Sequence, residues 1–179
     1  MKNFELESGV NIPEIEFPDG LSETDKELVV RQCELQHATS KEEVEGFASA
    51  YSSFKELSDD EEKILEMSAE KFLEYIKSLA TQIDKVNTNG WSKVPRMFGP
   101  DPTNKGVDPE NIQRAMEGWA EAFVENRLEP DEAYEMFERI HPLNDGNGRL
   151  GDLLWKFAMK RKTGEWPDTL PPDMFGDKE

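Results

Sequence analysis

The sequence predicts an all-α fold, and three observations lead to this prediction. Apolar residues recur at helical spacing along most of the chain. Serine, aspartate or proline stands at the start of several of these segments, as is typical of helix N-termini. No segment has the strand-rich pattern that a sheet requires. With 179 residues and no internal repeat, the chain has the length of one domain.

The chain is acidic and highly charged. It carries 39 Asp and Glu against 21 Lys and Arg, which gives a formal net charge of -18. This charge opposes direct association with nucleic acid phosphates or anionic lipid, although it leaves open a decoy that imitates nucleic acid. No apolar run approaches the length of a membrane span, and the acidic N-terminus does not resemble a signal peptide. We therefore expect a cytoplasmic protein without a membrane partner.

Composition divides the chain into three parts. Residues 1–20 contain Pro13 and Pro18 and show no helical period, so we interpret them as an extended N-terminal arm. Residues 21–165 carry the helical pattern and form the predicted domain. Residues 166–179 are rich in proline, which predicts an irregular C-terminal tail.

Serines mark the predicted helix starts in the first half of the chain. Ser22 precedes the first helical pattern, and Ser40 precedes the second with Glu43 at the capping-box position. Ser58 precedes an acidic first turn and a longer apolar pattern, which allows a break near Ser68.

A long irregular segment, residues 87–110, separates the two halves. Its richness in Gly, Pro, Asn and Asp is typical of functional or disordered loops, and Lys93–Phe98 within it could form a short strand or hairpin arm. The helical pattern then resumes with Asp108 as cap and Pro109 at the first position. Two further helices follow, and Gly164 is the predicted end of the last one.

The loop between these last two helices, "HPLNDGNGR", has the composition of an anion-binding site. At a helix N-terminus the backbone N–H groups point outward together, and Gly146 and Gly148 have no Cβ to hold a ligand away. The pattern therefore predicts an anion nest suited to phosphate. Arg149 adds fork-shaped cationic donors, and the Asn147 side chain can offer its amide to a phosphate oxygen.

Two further residues of the loop suggest what chemistry the bound phosphate would undergo. Asp145 is unfavourable beside a bare phosphate, but Mg²⁺ commonly bridges one carboxylate to substrate phosphates. His141 has an ordinary pKa of about 6.5, so it can remove the proton from an attacking hydroxyl. Singly, such features are more often a helix cap, a tight turn or a solvated side chain; together they predict transfer of a phosphorus-containing group from a metal-bound nucleotide to a hydroxyl.

The loop resembles the Fic/Doc family, whose signature reads H-P-F-x-[DE]-G-N-G-R-x-x-R in a small all-helical domain. The matching residues, in order and spacing, are His141, Pro142, Asp145, Gly146, Asn147, Gly148 and Arg149. The similarity extends over roughly residues 90 to 163, with "EPDEAYEMFERIHPL" similar to the helix before the motif and "GWSKVPRMFGP" at the position of the family's flap. The resemblance implies a Fic-like helical bundle with a short β-hairpin flap.

The resemblance also implies an activity, protein adenylylation, in which AMP passes from Mg-ATP to a Ser, Thr or Tyr hydroxyl of a protein target. His141 would be the general base, Asp145 the Mg²⁺ ligand, and Gly146–Gly148 with Arg149 the nucleotide-binding residues, Arg149 also stabilising charge on the leaving pyrophosphate. The flap would hold a segment of the target, which pairs with it as an added strand. Its residues are Lys93, Val94, Arg96, Met97 and Phe98. Whether the chain forms a homo-oligomer stays open.

The chain departs from the family pattern at two positions. Leu143 replaces the usual Phe at a position that we expect to be apolar core. Asp152 stands where a second arginine normally binds the terminal phosphate, and a carboxylate there would repel it unless it points away or helps bind metal. The open consequences are an altered nucleotide orientation, a different donor, or lost catalysis.

Several alternatives therefore remain beside AMP transfer. The chain could be a degenerate Fic domain that binds nucleotide or protein without turnover, a Doc-like kinase, or an acidic mimic of nucleic acid. "KEEVEG", residues 41–46, resembles the family's inhibitory element, with Glu45 at the position of its glutamate but Lys41 where Ser or Thr is usual. A glutamate such as Glu45 more often belongs to a solvated acidic helix face.

Overall fold

The computed structural model describes residues 14–176, which form an all-α protein. The described part of the predicted arm, residues 14–20, contains no helix, whereas residues 1–13 and 177–179 lie outside the described residues. The helices are α1 (Glu23–Leu35), α2 (Lys41–Ser58), α3 (Glu61–Leu65), α4 (Ala69–Ile83), a 3-10 helix (Lys85–Asn89), α5 (Pro109–Val124), α6 (Pro130–Ile140) and α7 (Asn147–Thr163).

Local capping explains most of the helix starts. Ser22 and Ser40 each form a capping box with the acidic residue three positions later, as the sequence predicts. The break near Ser68 is also confirmed, because the Ser68 hydroxyl caps α4. The prediction for Ser58 is wrong. It is the last residue of α2, its hydroxyl donates to the Lys55 carbonyl at 2.6 Å, and Asp60 caps the short α3 instead.

Stacked aromatic rings join the helices into one core. Phe72 of α4 stacks on Phe123 of α5 with centroids 5.1 Å apart, and Phe54 of α2 stacks on Phe157 of α7 at 4.7 Å. Trp119 lies on Phe123 at 4.8 Å and its indole N–H donates to the Ala133 carbonyl of α6. These rings bury large apolar areas with favourable geometry, so they fix α6 and α7 against the rest of the bundle.

The segment between the 3-10 helix and α5 has little regular structure. Met97 and Lys105 form an antiparallel bridge, the only strand pairing in the part of the chain that the structure describes. Beside it, the Phe98 N–H donates to the Asn104 carbonyl at 3.3 Å and the Gly106 N–H donates to the Arg96 carbonyl at 2.7 Å. This segment therefore folds back on itself before α5.

The start of α1 and the beginning of the predicted tail are both tied to α2. Asp25 accepts hydrogen bonds from the Tyr51 hydroxyl at 3.0 Å and from Lys55 Nζ at 2.6 Å. The Trp166 indole N–H donates to the same Tyr51 hydroxyl at 3.0 Å.

Within residues 14–176, no helix is both long and apolar enough to cross a lipid bilayer.

Candidate functional site

The loop between α6 and α7 begins and ends on left-handed backbone. His141 caps the C-terminus of α6 at φ 51°, and Gly146 stands at the N-terminus of α7 at φ 82°. The Asn147 side chain holds the loop closed, since its Oδ1 accepts from the Leu143 N–H at 2.9 Å and its Nδ2 donates to the Leu143 carbonyl at 3.1 Å. The described bonds of the Asn147 side chain thus shape the loop, and the contact of its amide with a phosphate stays a prediction.

Asn87, which is distant in sequence, supports the same loop. The Asn87 side chain accepts from the Asn144 N–H at 3.0 Å and donates to the Asp145 carbonyl at 2.9 Å. Leu143 is 1% exposed, which confirms its predicted place in the core. The hydrogen bonds of Asn87 and Asn147, together with the buried Leu143 side chain, fix the shape of this loop.

The His141 ring is positioned to act as a base. Its Nδ1 lies 3.1 Å from the Glu138 carbonyl oxygen, which can only accept, so Nδ1 carries the proton and Nε2 keeps the free lone pair. Burial lowers the pKa of the imidazole below its ordinary value of 6.5, although the Glu138 hydrogen bond and the Asp145 charge act in the opposite direction. His141 is therefore neutral near pH 7.

Aromatic contacts connect the His141 ring to the folded-back segment and to the tail. Phe98 stacks on His141 with ring centroids 5.7 Å apart. Phe175 packs edge-on against Phe98 at 5.2 Å, and the Arg139 guanidinium lies 5.5 Å from the Phe175 ring centre. The tail residue thus supports the ring that lies on the histidine.

Asp145 and Arg149 form a pair of unequal exposure. The Arg149 side chain is 1% exposed, the Asp145 side chain is 58% exposed, and Arg149 Nη2 lies 3.3 Å from Asp145 Oδ1. Asp145 Oδ1 also accepts from the Gly146 N–H at 2.6 Å, whereas Oδ2 has no hydrogen-bond partner among residues 14–176. The second carboxylate oxygen is therefore available to a cation.

Arg149 keeps buried donors that no described group accepts. Its Nε and Nη1 have no hydrogen-bond partner among residues 14–176. Burying such donors unsatisfied is costly for a folded protein. Because the side chain is only 1% exposed, the guanidinium adds positive charge beneath the loop without reaching the surface itself.

The backbone at the start of α7 also offers free donors. No side chain caps this helix. Leu150 is the first α7 residue whose N–H is bonded within the helix, to the Gly146 carbonyl at 2.9 Å. The N–H groups of Asn147, Gly148 and Arg149 precede it and carry the positive end of the helix dipole. This is the geometry that the sequence predicts for an anion nest.

A cavity of about 290 Å³ gathers these groups. Its lining residues are Gln36, Arg96, Met97, Phe98, Gly99, Tyr134, Glu138, His141, Asn144, Asp145, Gly146, Asn147 and Gly148. Of the predicted flap residues, Arg96, Met97 and Phe98 line it, but Lys93 and Val94 do not. The structure thus brings the predicted base, metal ligand and nest together with part of the predicted flap.

Close packing places the folded-back segment against the histidine. A Cβ on Gly106 would lie 2.9 Å from His141 Cβ and 2.9 Å from the Ile140 carbonyl, so only glycine fits. The Val107 N–H donates to the same Ile140 carbonyl at 3.1 Å. The return arm of this segment is therefore fixed to the end of α6.

Asp152 is turned into the protein interior and does not line the cavity. Its Oδ1 pairs with Lys156 Nζ at 2.7 Å, and both side chains are 0% exposed. Lys156 also donates to the Thr169 carbonyl at 2.5 Å. The carboxylate is thus compensated by a cation, which removes the expected repulsion of a phosphate in the cavity.

Glu45 lies along a different groove. Its Oε1 accepts from the Glu16 N–H at 2.9 Å and lies 3.6 Å from Lys41 Nζ. This groove, of about 750 Å³, runs between α2 and α4 and is separate from the cavity that contains His141. The described contacts of Glu45 are those of a surface helix residue.

Several residues that line or brace the cavity have no predicted site role: Gln36, Asn87, Gly99, Tyr134, Glu138 and Asn144. Gln36 at the end of α1 packs on the nest, since a Cβ on Gly148 would lie 2.4 Å from Gln36 Oε1. Glu138 is 5% exposed and its Oε2 lies 3.9 Å from His141 Nδ1. Asn144 lies inside the quoted loop, so its position was a usable signal. Asn87 and Gln36 come from distant segments, and no local pattern marks them.

Comparison with known proteins gives no matching family model and no matching curated protein. Function is therefore inferred from the site.

Proposed function

We propose that this chain is a Fic-type nucleotidyl transferase that moves AMP from Mg-ATP to a hydroxyl of a protein. The observation that carries the proposal is the shared cavity of about 290 Å³, in which a neutral His141, the free oxygen of Asp145 and unbonded helix N–H groups converge. A base, a metal ligand and an anion nest in one cavity meet the requirements of phosphoryl-group chemistry.

His141 and Arg149 have separate parts in the proposed reaction. The oxygen of the target hydroxyl attacks the α-phosphorus, and the bond from that phosphorus to the bridging oxygen of the β-phosphate breaks. The hydroxyl proton passes to His141 Nε2 and pyrophosphate leaves. Arg149 lies beneath the loop, 1% exposed and outside the cavity lining, so in this proposal its positive charge stabilises the negative charge on the leaving group at a distance and not by direct contact.

The residues present fit a magnesium ion shared with substrate. Residues 14–176 contain no cluster of three or more His, Cys, Asp or Glu side chains that could hold a metal. Asp145 alone, with Oδ2 free, would hold Mg²⁺ together with phosphate oxygens, as is usual for this ion. When bound, the metal neutralises phosphate charge and orients the leaving group.

The Fic-like architecture and the flap are part of this proposal. The bridge between Met97 and Lys105 supports a short hairpin next to His141. Met97 is 55% exposed, so its side chain is open to a target segment laid along the hairpin. The buried pair of Asp152 and Lys156 supports activity in spite of the missing second arginine, because the carboxylate is compensated and lies outside the cavity.

Intact-mass spectrometry tests the proposal. The purified chain is incubated with Mg²⁺ and each of the four nucleoside triphosphates, alone and with a cell lysate whose labelled proteins are then identified. We expect addition of one nucleoside monophosphate from ATP. Addition of one phosphate would indicate a Doc-like kinase, and nucleotide binding by calorimetry without added mass would indicate a binding module. If the chain neither binds a nucleotide nor gains mass, the proposal is refuted.

A matched pair of variants tests the base. The chain has two histidines, His37 and His141, and both have left-handed backbone, which asparagine tolerates. We expect His141→Asn to abolish the modification and His37→Asn, at an exposed position, to keep it. Labelling that persists in His141→Asn would contradict the assignment of the base.

A further inference from the structure

We propose that Arg96 binds the phosphates of the donor nucleotide as a second cationic contact. The inference rests on the proposed function and changes the role of this residue. The resemblance to the Fic/Doc flap implies that Arg96 binds the target, whereas the structure places Arg96 in the wall of the cavity that holds the anion nest.

The charges around the cavity support this role. Among the described residues that line it, Arg96 is the one permanent cation, beside the acidic Glu138 and Asp145. Arg149 lies beneath the loop, 1% exposed, and is not part of the lining. A triphosphate with one bound Mg²⁺ keeps a net negative charge, which a cation in the lining would neutralise.

Hydrogen bonds hold the Arg96 guanidinium close to the loop. Its Nε donates to the Ser92 hydroxyl at 3.0 Å, and its Nη2 donates to Asn144 Oδ1 at 3.4 Å. Ser92 is itself fixed, because its N–H donates to the Pro142 carbonyl at 2.8 Å. The side chain is thus braced from two sides, which lowers the entropic cost of binding a ligand.

The backbone of Arg96 is equally constrained. Its carbonyl accepts from the Gly106 N–H at 2.7 Å, and Gly106 packs on His141. Arg96 is also near enough to His141 to oppose its protonation, acting together with the larger effect of burial. The guanidinium therefore lies within electrostatic range of the reacting atoms.

Calorimetry with Mg-ATP and no protein target tests the inference, because target binding does not contribute to that measurement. We expect Arg96→Gln to weaken Mg-ATP binding about tenfold or more, the range for a hydrogen bond to a charged group. Arg96→Lys should recover part of the loss. The control is Lys105→Gln, which removes a positive charge from the same segment at an exposed position outside the cavity lining; its affinity should stay within about twofold.

The outcomes separate this inference from the proposed function. Wild-type binding of Mg-ATP with unchanged binding by Arg96→Gln would overturn the role of Arg96 and leave the proposed function standing. Absence of Mg-ATP binding by the wild type would overturn both. NMR titration adds an independent readout: in Arg96→Gln the pKa of His141 should rise, because a nearby positive charge is removed. Unchanged thermal unfolding of Arg96→Gln would show that the variant is folded.

Discussion

Replacing Asp152 with asparagine should destabilise the protein strongly. The substitution keeps the side-chain shape but leaves Lys156, which is 0% exposed, with no counter-charge; its ammonium then has the neutral Thr169 carbonyl, the new amide and the Trp155 ring as neighbours. Removing one partner of a buried ion pair costs about 3 to 5 kcal/mol. For a chain of this size, such a loss lowers Tm by about 6 to 20 °C.

Urea unfolding followed by circular dichroism measures this loss. The control is Glu135→Gln, which breaks a pair with Arg139 at the same helical spacing but with side chains 43% and 56% exposed. That loss should be only about 0.3 to 0.5 kcal/mol. Equal effects for the two variants would refute the reasoning that burial makes the Asp152 pair structurally important. Asp152→Leu combined with Lys156→Met should recover most of the stability, because no unpaired charge remains buried.

Two further predictions concern the loop. Because burial lowers the pKa of His141, the neutral base persists below pH 6.5; kcat/KM should therefore be flat above that pH and fall only at lower pH, and a fall that begins above pH 6.5 would contradict this. Asn147→Ala removes both bonds to Leu143, so it should cost about 1 to 3 kcal/mol in urea unfolding and reduce activity with no change in overall helicity; an unchanged free energy of unfolding would contradict it.

Local sequence patterns predict most of the helices. The capping boxes at Ser22 and Ser40 involve residues three positions apart, so they are readable without knowledge of the fold. The role of Ser58 is not readable from the local sequence, because it depends on a distant effect. Leu57 is 6% exposed, and its burial in the core favours continuation of α2 through residues that could otherwise begin a helix.

The candidate site, like the helices, is predictable from the sequence only where its residues are close along the chain. His141, Asp145 and the α7 N-terminus are close in sequence, so one short motif predicts their proximity. The position of Arg96 in the cavity depends on the path of a long irregular segment, which no local pattern determines. The pairing of Asp152 with Lys156 could have been found, since residues four apart on a helix lie on one face.

The row of rings from Phe175 through Phe98 to His141 makes the imidazole sensitive to events far along the chain. A protease cut or a crosslink that draws Phe175 away uncovers one side of Phe98 and loosens the ring that shields the histidine from solvent. Water then reaches the imidazole more easily, and its affinity for protons increases.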